Sequence, residues 1–390
     1  MDNIELLELI RKKEDSFTEF KSDFSDMNDL IEEICAFANA QGGRIIVGVS
    51  DDGDILGVKK DRSDEISQMA YTKIEPGVQI GVEKMYHGEK NLIVILIVRL
   101  GIQKPYGVRH RGHKDYLVRS GSTKKKASRE ELLRLFQESG SIHMDELPVP
   151  DTTLDDFDIN FFEKFFEAQY DRSIEEELQT SQISLEKLLE NMKIVKNGNL
   201  TLAGLLLFGR NPQQFKPSCI IWAIRMAGTD PSTLKFEDRK EISGNLVEQL
   251  NKVEPFFRTH LKSPAVIKGF DRKDYFEIPM EALREAVVNA VAHRDYTIPS
   301  NVRVFVYDDR IEVISPGRLP NTVTIENIRY GIHVERNPII VSYLTKLGKM
   351  SQIGTGIPRL IQMVRASTGK EPLFEEVDSQ FKVTIFRNGG

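Results

Sequence analysis

The sequence predicts an α+β fold in several parts, and three observations carry that prediction. Near the C-terminal end, a helix-period stretch (281–293) is followed by two alternating apolar runs, 302–306 and 311–314. Near the start, a helix-like segment (28–40) stops at Gly42-Gly43 and leads into RIIVGVSDDGDILGV. Third, 390 residues with 40% hydrophobic and 29% charged side chains suit a globular chain long enough for two or three domains, not a fibre or a disordered tail.

Charge and cysteine content narrow the function classes. A net charge of −6 carries no global polyanion-binding signature, so any nucleic-acid surface must be a local patch. Cys35 and Cys219 are too few and too far apart for a disulfide framework or a cysteine metal site, and are expected in the core. The longest apolar run, LIVILIV at 92–98, falls far short of the roughly 20 residues that span a bilayer. The first residues lack the basic-then-apolar order of a signal peptide. A cytoplasmic protein with no membrane partner is expected.

In chain order, residues 4–13 read as a short helix, and EDSFTEFK (14–21) as a short strand anchored by Phe17 and Phe20. Residues 28–40 place Ile31, Ile34, Cys35 and Ala38 on one helical face. The two apolar runs around Ser50-Asp51-Asp52-Gly53-Asp54 predict a hairpin, and 91–100 a buried strand. From Lys104 to Arg129 there are nine Lys/Arg against one acid, Asp115, with Tyr106, His110, His113 and Tyr116 interleaved. Such a run is usually a solvated rim. The mixed aromatics and glycines favour nucleic-acid contact through Arg109, Arg111, Lys114, Arg119, Lys124, Lys125 and Lys126, with Lys21 beside them.

Residues 141–156, acidic and carrying Pro148 and Pro150, predict a linker after a first domain at 1–140. A middle segment, 157–270, then shows helices at 159–169 and 185–192, and a Thr201-capped TLAGLLLFG; a winged-helix-like pair or a connector both fit. A strand at 219–225 and a long helix at 244–261 complete it. A last domain is expected at 271–390.

Within that last domain, Glu285, Asn289 and His293 recur at i, i+4, i+8 and form one polar ridge, with Ala282 and Ala292 expected to flank it and leave room for a ligand. Asn offers a hard carbonyl oxygen to Mg²⁺, and Glu can take a proton from water. Three solvated polar residues on an amphipathic helix are the plainer reading of this stretch alone. The hairpin that follows ends in Ser315-Pro316-Gly317, and Gly354-Thr355-Gly356 feeds a second helix start able to hold phosphate.

These C-terminal motifs resemble the divergent GHKL-type ATPase lobe, the RecG-like C-terminal domain, an α/β sandwich. The resemblance implies ATP and Mg²⁺ as ligands, Asn289 as the Mg²⁺ ligand, Glu285 as candidate base, His293 on the nucleotide ridge, and Gly354, Thr355 and Gly356 at the phosphates. Ser315 and Gly317 stand where that family reads adenine with the Asp of a D-x-G box, so a hydroxyl replaces the carboxylate. No G-x-x-x-x-G-K-[ST] phosphate loop of a helicase motor occurs.

The N-terminal motifs EDSFTEFK, CAFANAQGGRIIVGVSDDG and DYLVRSGSTKKKAS resemble the mixed α/β Schlafen/Alba-like (AlbA_2) domain of transcriptional regulators. That resemblance implies binding of DNA or RNA. Some Schlafen relatives are metal-dependent RNases, and Glu14, Glu19 and Asp51 stand at the matching carboxylate positions. The leading expectation is a nucleic-acid-binding regulator whose ATP·Mg²⁺ lobe modulates the basic surface. The alternatives are a divalent-metal nuclease using Glu14, Glu19 and Asp51, and a scaffold with a decayed nucleotide pocket. Self-association as a homo-oligomer is left open.

Overall fold

In the computed structural model the described residues are 3–88, 91–232, 235–262, 265–268, 271–274, 276–320, 323–332, 334–350 and 354–387. They form an α+β chain that divides into two compact units, Met1–Ile142 and His143–Gly390.

The first unit is built on two four-stranded sheets. Thr18–Lys21 runs parallel to Gly43–Val47, which pairs antiparallel with Asn91–Val98, itself antiparallel to Ile80–His87. As its unbroken apolar run predicts, Asn91–Val98 is central: Ile93, Val94, Ile95 and Leu96 are buried towards both faces. The helix Met27–Asn39 covers one face, its start fixed by Asp26, whose carboxylate accepts from the N–H groups of Asn28 and Asp29. The second sheet is antiparallel, with Gly107–His110, His113–Ser120 and Thr123–Lys126 as successive strands. The hairpin expected around Asp51 does not form a ladder. Val49 and Ile55 make one isolated bridge, because Gly43–Val47 already has both its edges paired.

The second unit centres on a six-stranded sheet in the order Phe236–Ile242, Ile221–Met226, Val302–Val306, Arg310–Pro316, Gln380–Phe386, Leu373–Val377. Period-two alternation sends Val302, Val304 and Val306 to one face, where the helices Leu246–His260, Met280–Ala292 and Gly356–Thr368 share their core. Two expected boundaries shift. The sheet starts at Ile221 rather than after residue 271, because Ile221–Met226 pairs in parallel with Val302–Val306 and buries Ile221 and Ala223 in the same core. The helices of the middle segment also belong to that core, through Phe162, Phe165, Leu205 and Phe208, so 157–270 does not stand apart.

The expected linker, 141–156, is likewise folded from His143 onward. Asp145 is fully buried and its Oδ2 accepts from the N–H groups of Ile339 (2.7 Å) and Ile340 (3.0 Å) at the start of the helix Pro338–Lys346. An acceptor oxygen is what that helix end needs, since the first-turn N–H groups lack partners within the helix. Cys35 and Cys219 are free and buried. No helix among the described residues is long and apolar enough to cross a membrane.

Candidate nucleotide pocket and nucleic-acid face

The helix Met280–Ala292 forms as its periodicity predicts, with His293 as its C-terminal cap residue. Ala282, Leu283, Val287 and Val288 are buried in the core, while Glu285, Asn289 and His293 are half-buried along one side. That side opens on a cavity of about 150 Å³. Glu285, Asn289, His293, Ser315, Gly317, Gly354 and Gly356 all line it, although they come from three separate stretches of chain. Thr355 does not line the cavity; it is the N-cap residue of Gly356–Thr368 and makes no side-chain cap hydrogen bond. Ala282 and Ala292 are fully buried and leave no room for a ligand; the small residues on the cavity wall are Ala286 and Ala290, the next positions round the helix from the ridge.

Asn289 donates from Nδ2 to Glu285 O at 2.8 Å and to Glu285 Oε1 at 2.7 Å. Both N–H donors are thereby turned to Glu285, and the carbonyl oxygen is the group left for a hard cation. Gly356 lies so close that a Cβ there would sit 1.9 Å from Glu285 Oε1. Only glycine permits this approach of the second helix's first residue to the ridge. Its first-turn N–H groups therefore open beside the carboxamide, in the arrangement that binds anions at helix starts. Gly317 (φ +103°) turns sharply after the strand, with Asp295 and Arg336 packed where a side chain would be. Arg336 ties the far end of the ridge, donating to His293 O at 2.9 Å and to Arg318 O at 2.6 Å. Asn337 does the same for Ala292 O and Arg294 O. Sequence reasoning missed this clamp, since only the fold brings 336–337 under the helix end.

Val313, Leu319, Ile328, Val341 and Phe381 also line the cavity and give it an apolar wall. At its edge, Ser315 Oγ donates to Ala290 O at 2.7 Å, so its proton is committed and its oxygen remains an acceptor. The carboxamide oxygen, the glycine-shaped helix start and the apolar wall are chemically compatible with a nucleotide and its Mg²⁺.

In the first unit the basic run is sorted by burial. Arg119, expected to touch nucleic acid, is 2% exposed in its side chain; Nη1 donates to Glu19 Oε2 at 2.9 Å and to Glu33 Oε2 at 2.7 Å, and the guanidinium lies 4.4 Å from the centre of the Phe37 ring. It holds the fold and is not available to a polyanion. Lys21 pairs with Glu19 and Asp29, and Lys124 with Asp29, Glu32 and Glu33. Burial penalises the Lys21 ammonium, but its bonds to Glu19 and Asp29 outweigh this and push its pKa up. The exposed cations are Arg109 and Lys114, opposite each other and both on Glu75, then Arg111 at the turn, Lys125, Lys126 and Arg129. Exposed pairs of this kind contribute only about 0–1 kcal/mol each, so a phosphate can displace them.

Glu14 accepts from Phe20 N at 2.9 Å. Burial raises its pKa, the Phe20 N–H opposes that, and the charges of Glu19 and Asp51 add to the rise. Glu19 is committed on both oxygens, to Lys21 and Arg119. The three acids do not gather their ligand atoms as closely as a metal site requires; among the described residues only His110, His113 and Asp115 do so.

The family described as "Schlafen, AlbA_2" matches residues 14–128, and "Putative ATP-dependent DNA helicase recG C-terminal" matches 300–385. The chain carries both domains. Between them, residues 133–217 match a "Domain of unknown function". No curated protein matches the chain. Among solved structures, the DIP2311 protein from Corynebacterium diphtheriae is similar at 22% identity over 96% of this chain and 76% of that one, with a TM-score of 0.48. The N-terminal domain of a "Putative ATP-dependent DNA Helicase RecG-related Protein" from Nitrosomonas europaea is similar at 20% identity over 32% of this chain and 92% of that one, with a TM-score of 0.24. The AlbA_2 and RecG C-terminal domains together mark a nucleic-acid-related, ATP-binding type of protein.

Proposed function

We propose that the chain is a nucleic-acid-binding regulator in which ATP·Mg²⁺, held in the second unit, modulates the polyanion affinity of the first. The observation that carries the nucleotide half is the meeting of Glu285, Asn289, Ser315, Gly354 and Gly356 on one partly apolar cavity. When bound, Mg²⁺ would offset the charge of the phosphates. Asn289 orients the cation through its carbonyl oxygen, Glu285 holds the carboxamide in that orientation, and the start of Gly356–Thr368 receives the phosphate end. Glu285 is also the group placed to accept a proton from water, which makes slow ATP hydrolysis its natural activity.

A regulator needs nucleotide to bind one state more tightly than another. Coupling of about 1–3 kcal/mol corresponds to a roughly 5–150-fold change in affinity. Anisotropy titrations of labelled single-stranded DNA, duplex DNA and RNA, with and without ATP·Mg²⁺, should show a shift of at least about fivefold for one of them. Binding should weaken between ~50 and 200 mM salt, because phosphate contacts release counterions. Equal affinity with and without ATP would remove the regulatory half of the proposal.

A second reading, a divalent-metal nuclease, draws on Glu14, whose pKa is raised first by burial, with the charges of Glu19 and Asp51 adding to the rise. Incubation with tRNA, single strands and duplex in Mn²⁺ tests it. Cleavage lost in Glu14→Gln and Asp51→Asn would support it; no cleavage at all would end it.

A further inference from the structure

The hairpin formed by Gly107–His110 and His113–Ser120 gathers three groups that neither reading uses. His110 and His113 face each other across the last rung of the ladder, and Asp115, two residues beyond His113, projects from the same face. The two imidazoles stack, with ring centres 5.0 Å apart and planes 17° from parallel. Both aim Nε2 at one oxygen: Asp115 Oδ2 lies 3.6 Å from His110 Nε2 and 3.7 Å from His113 Nε2. Those distances are too long for hydrogen bonds. The groups are therefore assembled without bonding one another.

Their spacing suits a shared ion. All three ligand atoms lie within 4.8 Å of one another. Ligands at the ~2.0–2.1 Å of zinc coordination stand roughly 3.3–3.4 Å apart in a tetrahedron. The two His–Asp distances thus need to close by only a few tenths of an ångström. The rest is rotation of side chains at the turn end of a hairpin. Lys126 Nζ holds the other carboxylate oxygen, Oδ1, at 2.9 Å, which orients Asp115 and leaves Oδ2 directed at the imidazoles, as outer partners of metal ligands do.

We propose that His110, His113 and Asp115 form a binding site for a zinc-class divalent transition-metal ion on the exposed face of this hairpin, with a coordination position open to water or a phosphate oxygen. Two imidazoles and one carboxylate select Zn²⁺, Co²⁺ or Ni²⁺ over Mg²⁺, which prefers an all-oxygen shell. Three protein ligands, rather than four, are the pattern of a site that keeps a position for exchangeable ligand. Arg109, Arg111 and Lys114 adjoin these residues in sequence and Lys126 contacts Asp115, and their charge sets the affinity below that of a closed structural site.

The full chain should be titrated with Co²⁺ and followed by visible absorption, and Zn²⁺ affinity measured by competition with a chromophoric chelator. One equivalent of Co²⁺ should give ligand-field bands. His110→Ala and His113→Ala should each weaken Zn²⁺ binding by roughly tenfold or more, with Asp115→Asn close behind. Thermal melts of the metal-free variants should match the parent, since all three side chains lie outside the core clusters. No Co²⁺ bands, or equal Zn²⁺ affinity in the parent and a His110→Ala/His113→Ala double variant, would overturn the proposal.

Discussion

Gly356→Ala separates the nucleotide pocket from the fold that carries it. A Cβ at this position would meet Glu285 Oε1 at 1.9 Å and Cδ at 2.8 Å, where ordinary contact begins near 3.4 Å. The carboxylate must therefore retreat by roughly 1.5 Å, the difference between 3.4 and 1.9 Å. It can do so cheaply, because it is the end of a flexible side chain on a half-buried ridge. What it cannot keep is the 2.7 Å bond from Asn289 Nδ2. A hydrogen bond to a charged group is worth about 1.5–3 kcal/mol, which converts to a roughly 10–100-fold loss in ATP·Mg²⁺ affinity if that bond aligns the carboxamide. Stability should move little or rise, since Ala is favoured over Gly in a helix by up to about 1 kcal/mol. Calorimetric titration gives the affinity and a thermal melt without nucleotide gives the stability. In Glu285→Ala/Gly356→Ala the second change should add nothing further, as expected for groups in contact. Unchanged ATP affinity in Gly356→Ala, with an unchanged melt, would refute this account of why the residue is glycine.

Other outcomes follow from the buried charges. Arg119→Ala leaves Glu19 and Glu33 buried without their shared partner and should cost about 3–5 kcal/mol in urea unfolding of the first unit; a loss below 1 kcal/mol would return Arg119 to the surface. Burial raises the Asp145 pKa from 3.8 to about 6, against the pull of the Ile339 and Ile340 N–H groups. The folded state thus binds its proton more tightly than the unfolded chain. Its stabilising contribution is complete below about pH 4 and lost as pH rises through about 6, a swing of about 3 kcal/mol. Asp145→Asn keeps an acceptor for the helix start and cannot ionise, so its stability relative to the parent should improve between pH 4.5 and 7.5; a pH-independent difference would contradict this.

The parts legible in the sequence were those with a local cause. Glu285, Asn289 and His293 follow from helical period, and the strands 302–306 and 311–314 from alternation, the second extending to Arg310–Pro316 in the fold. That Gly356 belongs beside Glu285 was suggested by motif order, not by distance. What could not be read depends on partners far along the chain. Arg119 looked like a surface cation because Glu19 and Glu33, its partners, lie 100 and 86 residues away. Residues 141–156 looked like a linker because prolines and acids were visible and the helix start that Asp145 caps, at 338–340, was not. Ala282 and Ala292 face the packed core, and the alanines on the cavity wall are Ala286 and Ala290, next to Glu285 and Asn289 in sequence.

The most direct test of the central claim is a calorimetric titration of the full chain with ATP, repeated without Mg²⁺ and with Asn289→Ala. Saturable binding that requires Mg²⁺ and falls by roughly tenfold or more in Asn289→Ala is the predicted result. Equal binding by parent and variant, or no binding heat and no thermal shift at millimolar ATP, would contradict it.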